Sequence, residues 1–311
     1  MATLTTLSKA LTLRTKQTQS AAHYETLANS QKNIQIMGIV NLTDDSFYAG
    51  SRVLSASGEF VPETFLSRVR SMVAEGASII DLGACSTRPG SDSVDEETEW
   101  RRLEPALELL REHINEKSSQ TAKVNGELKI SIDTFRPGIV QKAYDVFGPF
   151  IVNDISGGSD EMLSLVGRLG LPYIATHSRG DSKTMQSLTD YDDVTCAVKK
   201  FFEDFSDRAS RFGISDWILD PGYGFAKTVE QNWQLLRELP QLAIFGKPLL
   251  VGVSRKSMIW RPLGITPSEA LPGTQVAHLA ALQGGADILR VHDVAEARHT
   301  VILWRLLNRE C

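Results

Sequence analysis

Short apolar runs that stop on polar residues recur along this 311-residue chain, and they constrain its fold more than any other feature. The runs Ile34–Val40, Ser78–Leu82, Leu128–Asp133, Phe150–Asp154, Pro172–Ala175, Trp217–Asp220, Pro248–Val253 and Asp287–Val291 read as eight strands. Runs this uniformly apolar are buried on both faces, as in a parallel sheet. Several end on chemistry-bearing side chains: Asp133, then Asn153 and Asp154, then Asp220, then Ser254-Arg255-Lys256-Ser257, and finally Arg290 and His292. The carboxyl rim of parallel strands is where α/β proteins build ligand sites.

Helical patterns separate the strands, as a repeating βα unit requires. The clearest spans Tyr191 to Phe212, with Val194, Ala197, Val198, Phe201, Phe202, Phe205, Ala209 and Phe212 on one face at three-to-four spacing. Such an aromatic stripe belongs against the sheet. A second helix is predicted from Ser93, whose hydroxyl pairs with Glu96 as a capping box, and Pro105 predicts a kink or break within it. Gly76, Gly170, Gly213 and Gly285 fall between a helical stretch and the next strand, where a helix-ending glycine belongs. Eight units over about 270 residues match a closed (β/α)8 barrel, whose typical length is near 250 residues. The competing open, doubly wound sheet would carry GxGxxG after its first strand, and that fingerprint is absent. The expected architecture is therefore one (β/α)8 TIM barrel over residues 31–311, preceded by a flexible N-terminal extension over residues 1–30.

A net charge of −5 without a strongly basic block argues against nucleic acid or an anionic membrane as the main partner. No apolar stretch reaches the ~18 residues of a membrane span. The cysteines Cys85, Cys196 and Cys311 are widely spaced, fit no zinc pattern, and suit a reducing, cytoplasmic setting. Cys85 has no recognisable base beside it, which argues against a nucleophile. The stretch Ala2–Ala22 is rich in Thr, Ser, Ala and Gln, with Lys9, Arg14 and Lys16 and no acid before Glu25. It reads as a flexible leader or a start placed too early, in preference to an organelle transit peptide.

Five motifs then appear in order. They are Met37-Gly38-Ile39-Val40-Asn41-Leu42-Thr43-Asp44-Asp45-Ser46-Phe47, Asp81-Leu82-Gly83-Ala84-Cys85-Ser86-Thr87-Arg88-Pro89-Gly90, Asp220-Pro221-Gly222-Tyr223-Gly224-Phe225, Ser254-Arg255-Lys256-Ser257 and Arg290-Val291-His292-Asp293. Together, from about Ile34 to about Leu306, they resemble the dihydropteroate synthase family. That family condenses 6-hydroxymethyl-7,8-dihydropterin diphosphate with p-aminobenzoate, releasing diphosphate and forming 7,8-dihydropteroate in folate biosynthesis. Sulfonamides compete with p-aminobenzoate there, and the family's members favour homodimers.

The resemblance implies a division of labour. Asp133, Asn153, Asp220 and Lys256 hold the pterin, a ring that offers both donors and acceptors and is oriented by carboxylates. Arg290, His292, Asn41 and Thr87 receive the diphosphate, and Asn41 ligates a magnesium ion, which needs few protein oxygens because it keeps its waters. Thr87, Arg88, Pro89, Phe225, Lys256 and Ser257 surround p-aminobenzoate. Asp133, Lys256, Arg88, Arg290 and His292 form the catalytic set. Catalysis is charge stabilisation during a dissociative displacement, and the neutral aniline nucleophile needs no strong base.

The first and second βα loops, Asn41–Val61 and Gly83–Glu97, are expected to close over the ligands and exclude water. The chain departs from the family at Asp44, where Pro is usual, and at Thr176 and Ser178, which replace Met on either side of His177. The apolar wall against the pterin is thinner there. Corrinoid methyltransferases that use methyltetrahydrofolate share the pterin-holding Asp and Asn, but they have no use for Ser86–Gly90 or for Arg290 and His292. A non-catalytic pterin-binding paralogue would be expected to lose Arg88, Lys256 or His292, and all three are present. The apolar helical stretches Val276–Leu282 and Val301–Leu307 are candidates for a homodimer surface.

Overall fold

The computed structural model describes residues 33–43, 60–85, 94–118, 128–180 and 183–308. Eight parallel strands alternate with helices: β1 (Gln35–Asn41), β2 (Ile79–Gly83), β3 (Lys129–Asp133), β4 (Ile151–Asp154), β5 (Tyr173–Thr176), β6 (Trp217–Asp220), β7 (Leu250–Val251) and β8 (Ile288–Val291). The helices are α1 (Pro62–Glu75), α2 (Glu96–Ser118), α3 (Pro137–Phe147), α4 (Asp160–Leu169), α5 (Val194–Arg211), α6 (Val229–Arg237), α7 (Ser257–Leu263), α8 (Leu271–Gln283) and α9 (Val294–Leu307). Strands pair in the order β6-β5-β4-β3-β2-β1-β8-β7. One parallel bridge, Leu219 to Leu249, joins the two ends and closes the barrel.

The strand period explains both the core and the site. Met37, Ile79, Ile151, Ile174, Ile218, Leu250 and Ile288 form a separate apolar cluster, the plug inside the barrel. Ile80, Leu82, Ile130, Ile132, Val152, Leu219 and Leu289 point outward into the larger cluster shared with the helices. Two residues beyond each inward plug residue the side chain again faces inward. At that level stand Asp81, Asn153, Thr176, Asp220 and Arg290, with Asp133 two beyond the inward Ser131. The barrel is therefore apolar at its base and polar at its mouth.

The structure shifts several predicted boundaries. The seventh strand is two residues long instead of spanning Pro248–Val253; just before it, the Asp287 carboxylate accepts the Leu249 N–H at 2.9 Å. The aromatic-striped helix runs over Val194–Arg211 and is capped by Asp193, whose carboxylate accepts the Cys196 N–H at 2.7 Å. Its Phe202 and Phe205 pack on Trp217. α2 begins at Glu96, and Asp95 accepts the Thr98 N–H at 2.7 Å; Ser93 lies outside the described residues. The helix runs continuously through Pro105, so the expected break does not occur; burial of Leu103, Ala106, Leu107 and Leu110 outweighs one lost backbone bond. Gly76, Gly170, Gly213 and Gly285 all adopt positive φ, as helix-ending glycines do. No helix among the described residues is long and apolar enough to cross a membrane.

Candidate active site

Arg290 organises the mouth of the barrel. Its Nε donates to Asp81 Oδ2 at 2.7 Å and its Nη2 to Asp133 Oδ2 at 2.7 Å. The strands carrying these residues lie close in the sheet: β8 pairs with β1, β1 with β2, and β2 with β3, so Arg290 reaches across β1. Asn153 is 3% exposed and donates its side-chain amide to both oxygens of Asp81, at 3.3 and 3.2 Å. Asp133 Oδ1, Ser131 Oγ and Thr176 Oγ1 are buried and accept or donate no hydrogen bond among the described residues. Unmet polar atoms inside a barrel mouth are what a polar, flat ligand needs.

Electrostatics follow from burial. Desolvation pushes the Asp133 carboxyl up to about 7, against the pull of Arg290 and with the help of Asp81. Burial also raises Asp220, although Lys256 and the Gly222 N–H, donated to Asp220 Oδ1 at 2.8 Å, favour its anion. Burial opposes the Arg290 charge, but Asp81 and Asp133 more than offset it and keep the guanidinium protonated. Lys256 is brought down to about 8 by burial, with Asp220 as its counter-charge.

The loop after β6 is fixed by two lysines. Lys256 donates to the Tyr223 carbonyl and stands 4.6 Å over the Phe225 ring. From beneath, the buried Lys227 donates to the carbonyls of Gly222 at 3.0 Å and Phe225 at 3.1 Å, and meets His177 Nδ1 at 2.9 Å. Burial pushes Lys227 down to about 7 and His177 down to about 2, so His177 is neutral and its Nδ1 accepts from the ammonium. Glycine at 222 is obligatory, because φ is positive and a Cβ there would lie 1.9 Å from the His177 carbonyl oxygen.

The structure brings Asp133, Asn153, Asp220, Lys256 and Arg290 together at one barrel end. Asn41 ends β1, His292 follows β8, and Ser257 opens α7. A Cβ on Gly83 would sit 3.7 Å from Asn41 Oδ1 and 3.8 Å from Asp133 Oδ2, so both oxygens look onto the space above that glycine. An amide oxygen such as Asn41 Oδ1 is a hard ligand of the kind magnesium takes, whereas Asp133 Oδ2 already accepts from Arg290. Thr87, Arg88, Pro89, Asp44 and the predicted lid residues Ser86–Gly90 lie outside the described residues. Cys85 is buried and its thiol is pushed up by burial, contrary to what a nucleophile requires. Sequence reasoning quoted Asp81 in a motif and gave it no role. The signal was its parity with Ile79, which places it inward one step above the plug. Lys227 carried no sequence signal beyond its position after the Phe225 loop.

The comparisons agree with this geometry. The family model described as pterin binding enzyme matches residues 37–292. A dihydropteroate synthase from Synechocystis sp. is 42% identical over 277 residues, covering 87% of this chain and 89% of the relative. The crystal structure of the Yersinia pestis dihydropteroate synthase with a sulfonamide drug complex superposes with a TM-score of 0.77 at 32% identity, covering 88% of this chain and 94% of that one. The Thermus thermophilus enzyme in complex with 4-aminobenzoate gives a TM-score of 0.74 at 36% identity, covering 88% and 95%. With the polar barrel mouth, the motif order and these similarities in agreement, the chain belongs to the dihydropteroate synthase family of pterin-binding enzymes.

Proposed function

We propose that this chain is a transferase that joins 6-hydroxymethyl-7,8-dihydropterin diphosphate to p-aminobenzoate, forming 7,8-dihydropteroate and diphosphate for folate biosynthesis. The carrying observation is the ring of Asp133, Asn153, Asp220, Lys256 and Arg290 at one end of the barrel, with buried acceptors still unmet. Asp133, Asn153 and Asp220 orient the pterin by its amine and amide edges, and Lys256 lies against it. Arg290 and His292 receive the diphosphate. Phe225 and Ser257 border p-aminobenzoate, the ring by packing and the hydroxyl by hydrogen bonding. Thr87, Arg88 and Pro89, from the second loop, complete these two subsites by resemblance.

Asn41 is the residue that would hold magnesium, and the ion would neutralise charge on the departing diphosphate. The residues themselves supply the rest. Arg290, locked as a cation by two carboxylates, attracts the leaving group. Asp133, next to it, stabilises positive charge left on the pterin. The neutral aniline nitrogen attacks and loses its proton afterwards, so no nucleophile–base pair is required.

Competition by sulfonamides at the p-aminobenzoate subsite follows from this reading. The exposed apolar side chains Val276 on α8 and Leu303 and Leu307 on α9, each about two-thirds exposed, support a homodimer through these neighbouring helices. A reducing, cytoplasmic setting suits the three cysteines. The deciding experiment incubates the purified chain with pterin diphosphate, p-aminobenzoate and magnesium and assays dihydropteroate. Its absence under conditions where a relative is active would overturn the assignment, and light scattering reports the dimer.

A further inference from the structure

Arg255 immediately precedes Lys256 of the proposed site yet faces away from it. Its φ of 52° is in the left-handed region, a conformation that side chains other than glycine seldom adopt and that tends to persist only where the surroundings impose it. The turn separates the neighbouring side chains. Lys256 reaches back to Tyr223 and Phe225, while Arg255 reaches across to the loop after β8.

There it meets Asp293 in a two-point pair: Nε to Oδ2 at 2.8 Å and Nη2 to Oδ1 at 3.0 Å, with both side chains under a tenth exposed. Nη1 donates to the carbonyls of Pro267 at 3.0 Å and Ser268 at 2.7 Å, and the Arg255 N–H donates to Thr274 Oγ1 at 3.1 Å. Asp293 directly precedes α9, where an aspartate ordinarily caps the helix; its side chain makes no cap bond and serves Arg255 instead. One residue back on each loop, the His292 N–H donates to Ser254 Oγ at 3.3 Å. The loops are thus joined residue by residue, 254 to 292 and 255 to 293.

We propose that Arg255 is a positioning residue, whose buried pair with Asp293 fixes the Lys256 loop to the His292 loop so that both present to the diphosphate-bearing substrate as one unit. This rests on the proposed synthase reading. Four hydrogen bonds to protein acceptors occupy the guanidinium, so Arg255 acts through its neighbours and not by touching phosphate.

The test uses Arg255→Lys, Arg255→Gly, Asp293→Asn and the double variant Arg255→Lys/Asp293→Asn in the full chain. Affinity for pterin diphosphate is read by calorimetry, independently of turnover, beside KM, kcat and the thermal midpoint. Arg255→Lys keeps the charge and loses the fork, and Asp293→Asn keeps the shape and loses the charge. Each single variant is expected to weaken pterin diphosphate binding about ten-fold or more, with the loss appearing in KM, and the double is expected to be no worse than the worse single. Arg255→Gly accepts the left-handed backbone without strain, so wild-type affinity in it would show that only the turn matters and overturn the proposal. Unchanged affinity and KM, with kcat falling in step with the folded fraction, would also overturn it. A wild-type chain that binds pterin diphosphate but forms no dihydropteroate would instead count against the synthase reading.

Discussion

Arg290 and Asp81, 209 positions apart in sequence, are in direct ionic contact at the centre of the barrel mouth, with Nη2 2.6 Å from Oδ2. Asp81 is fully buried and also holds the Asn153 amide. It therefore fixes two residues of the proposed site. Asp81→Asn leaves the Arg290 charge with one carboxylate in place of two. Breaking one partner out of a buried pair costs on the order of 3 kcal/mol, so the thermal midpoint should fall by several degrees. Removing the Asp81 charge also removes one of the influences that raise Asp133, so the acid limb of the kcat/KM profile should move to lower pH. An unmoved acid limb would show that Asp133 does not sense Asp81.

The pH profile itself carries a prediction. Asp133 must be ionised to stabilise a cation, and it sits at about 7. Lys256 must be protonated to contact the substrate as a cation, and it sits at about 8. For kcat/KM with pterin diphosphate, which reports the free enzyme, a narrow bell between these values is expected. Lys256→Arg should lower the rate but remove the alkaline limb, because a guanidinium stays charged. Persistence of that limb would assign it to another group.

Much of this arrangement was legible in the sequence because strand period and barrel geometry act together. Once Ile151 is an inward plug residue, Asn153 must face inward above it, and the same step leads from Ile218 to Asp220 and from Ile288 to Arg290. The eight strands were visible because burial on both faces leaves short, mainly apolar runs, with inward polar residues such as Asp81 and Ser131 as the exceptions. What stayed hidden depends on side chains that meet across loops. Nothing local in Lys227 tells that three backbone carbonyls and an imidazole converge on it. Nothing in the Leu249 segment tells that Asp287 will take its N–H. Pro105 suggests a break for a sound local reason, but the packed face of α2 carries the helix through it.

Lys227 should leave a signature in stability against pH. Burial lowers its folded value to about 7 from an ordinary value of 10.5. Between those values the unfolded chain carries a proton that the folded chain lacks, so this group makes stability rise with pH across that window. Asp133 works in the adjacent window with the opposite sign. Its folded value is raised to about 7, so its contribution is full below 3.8 and is lost as pH rises through 7. Denaturant titrations from pH 7 to 10 should show a positive slope, shared with Lys256 above about 8, that Lys227→Met reduces most between pH 7 and 8. A slope equal in both proteins would place the proton uptake elsewhere.

Thr176 offers the sharpest test of how this chain holds its substrate. The side chain is 1% exposed, faces inward at the level of Asp220, and its hydroxyl has no hydrogen-bond partner among the described residues. An unmet buried hydroxyl costs roughly 1–3 kcal/mol, and valine has nearly the same shape without it. Thr176→Val should therefore stabilise the ligand-free protein by about 1 kcal/mol, a rise of ~2 °C in thermal midpoint. On the proposed reading, the same hydroxyl stands beside Asp220 at the level that receives the pterin, within reach of an acceptor on the ring. We expect the variant to raise KM for pterin diphosphate several-fold, on the order of one lost hydrogen bond, while KM for p-aminobenzoate stays unchanged. Calorimetry and steady-state kinetics on one preparation measure both effects. A fall in the midpoint would mean that the hydroxyl already has a partner in the free protein, and an unchanged pterin KM would remove Thr176 from the substrate wall.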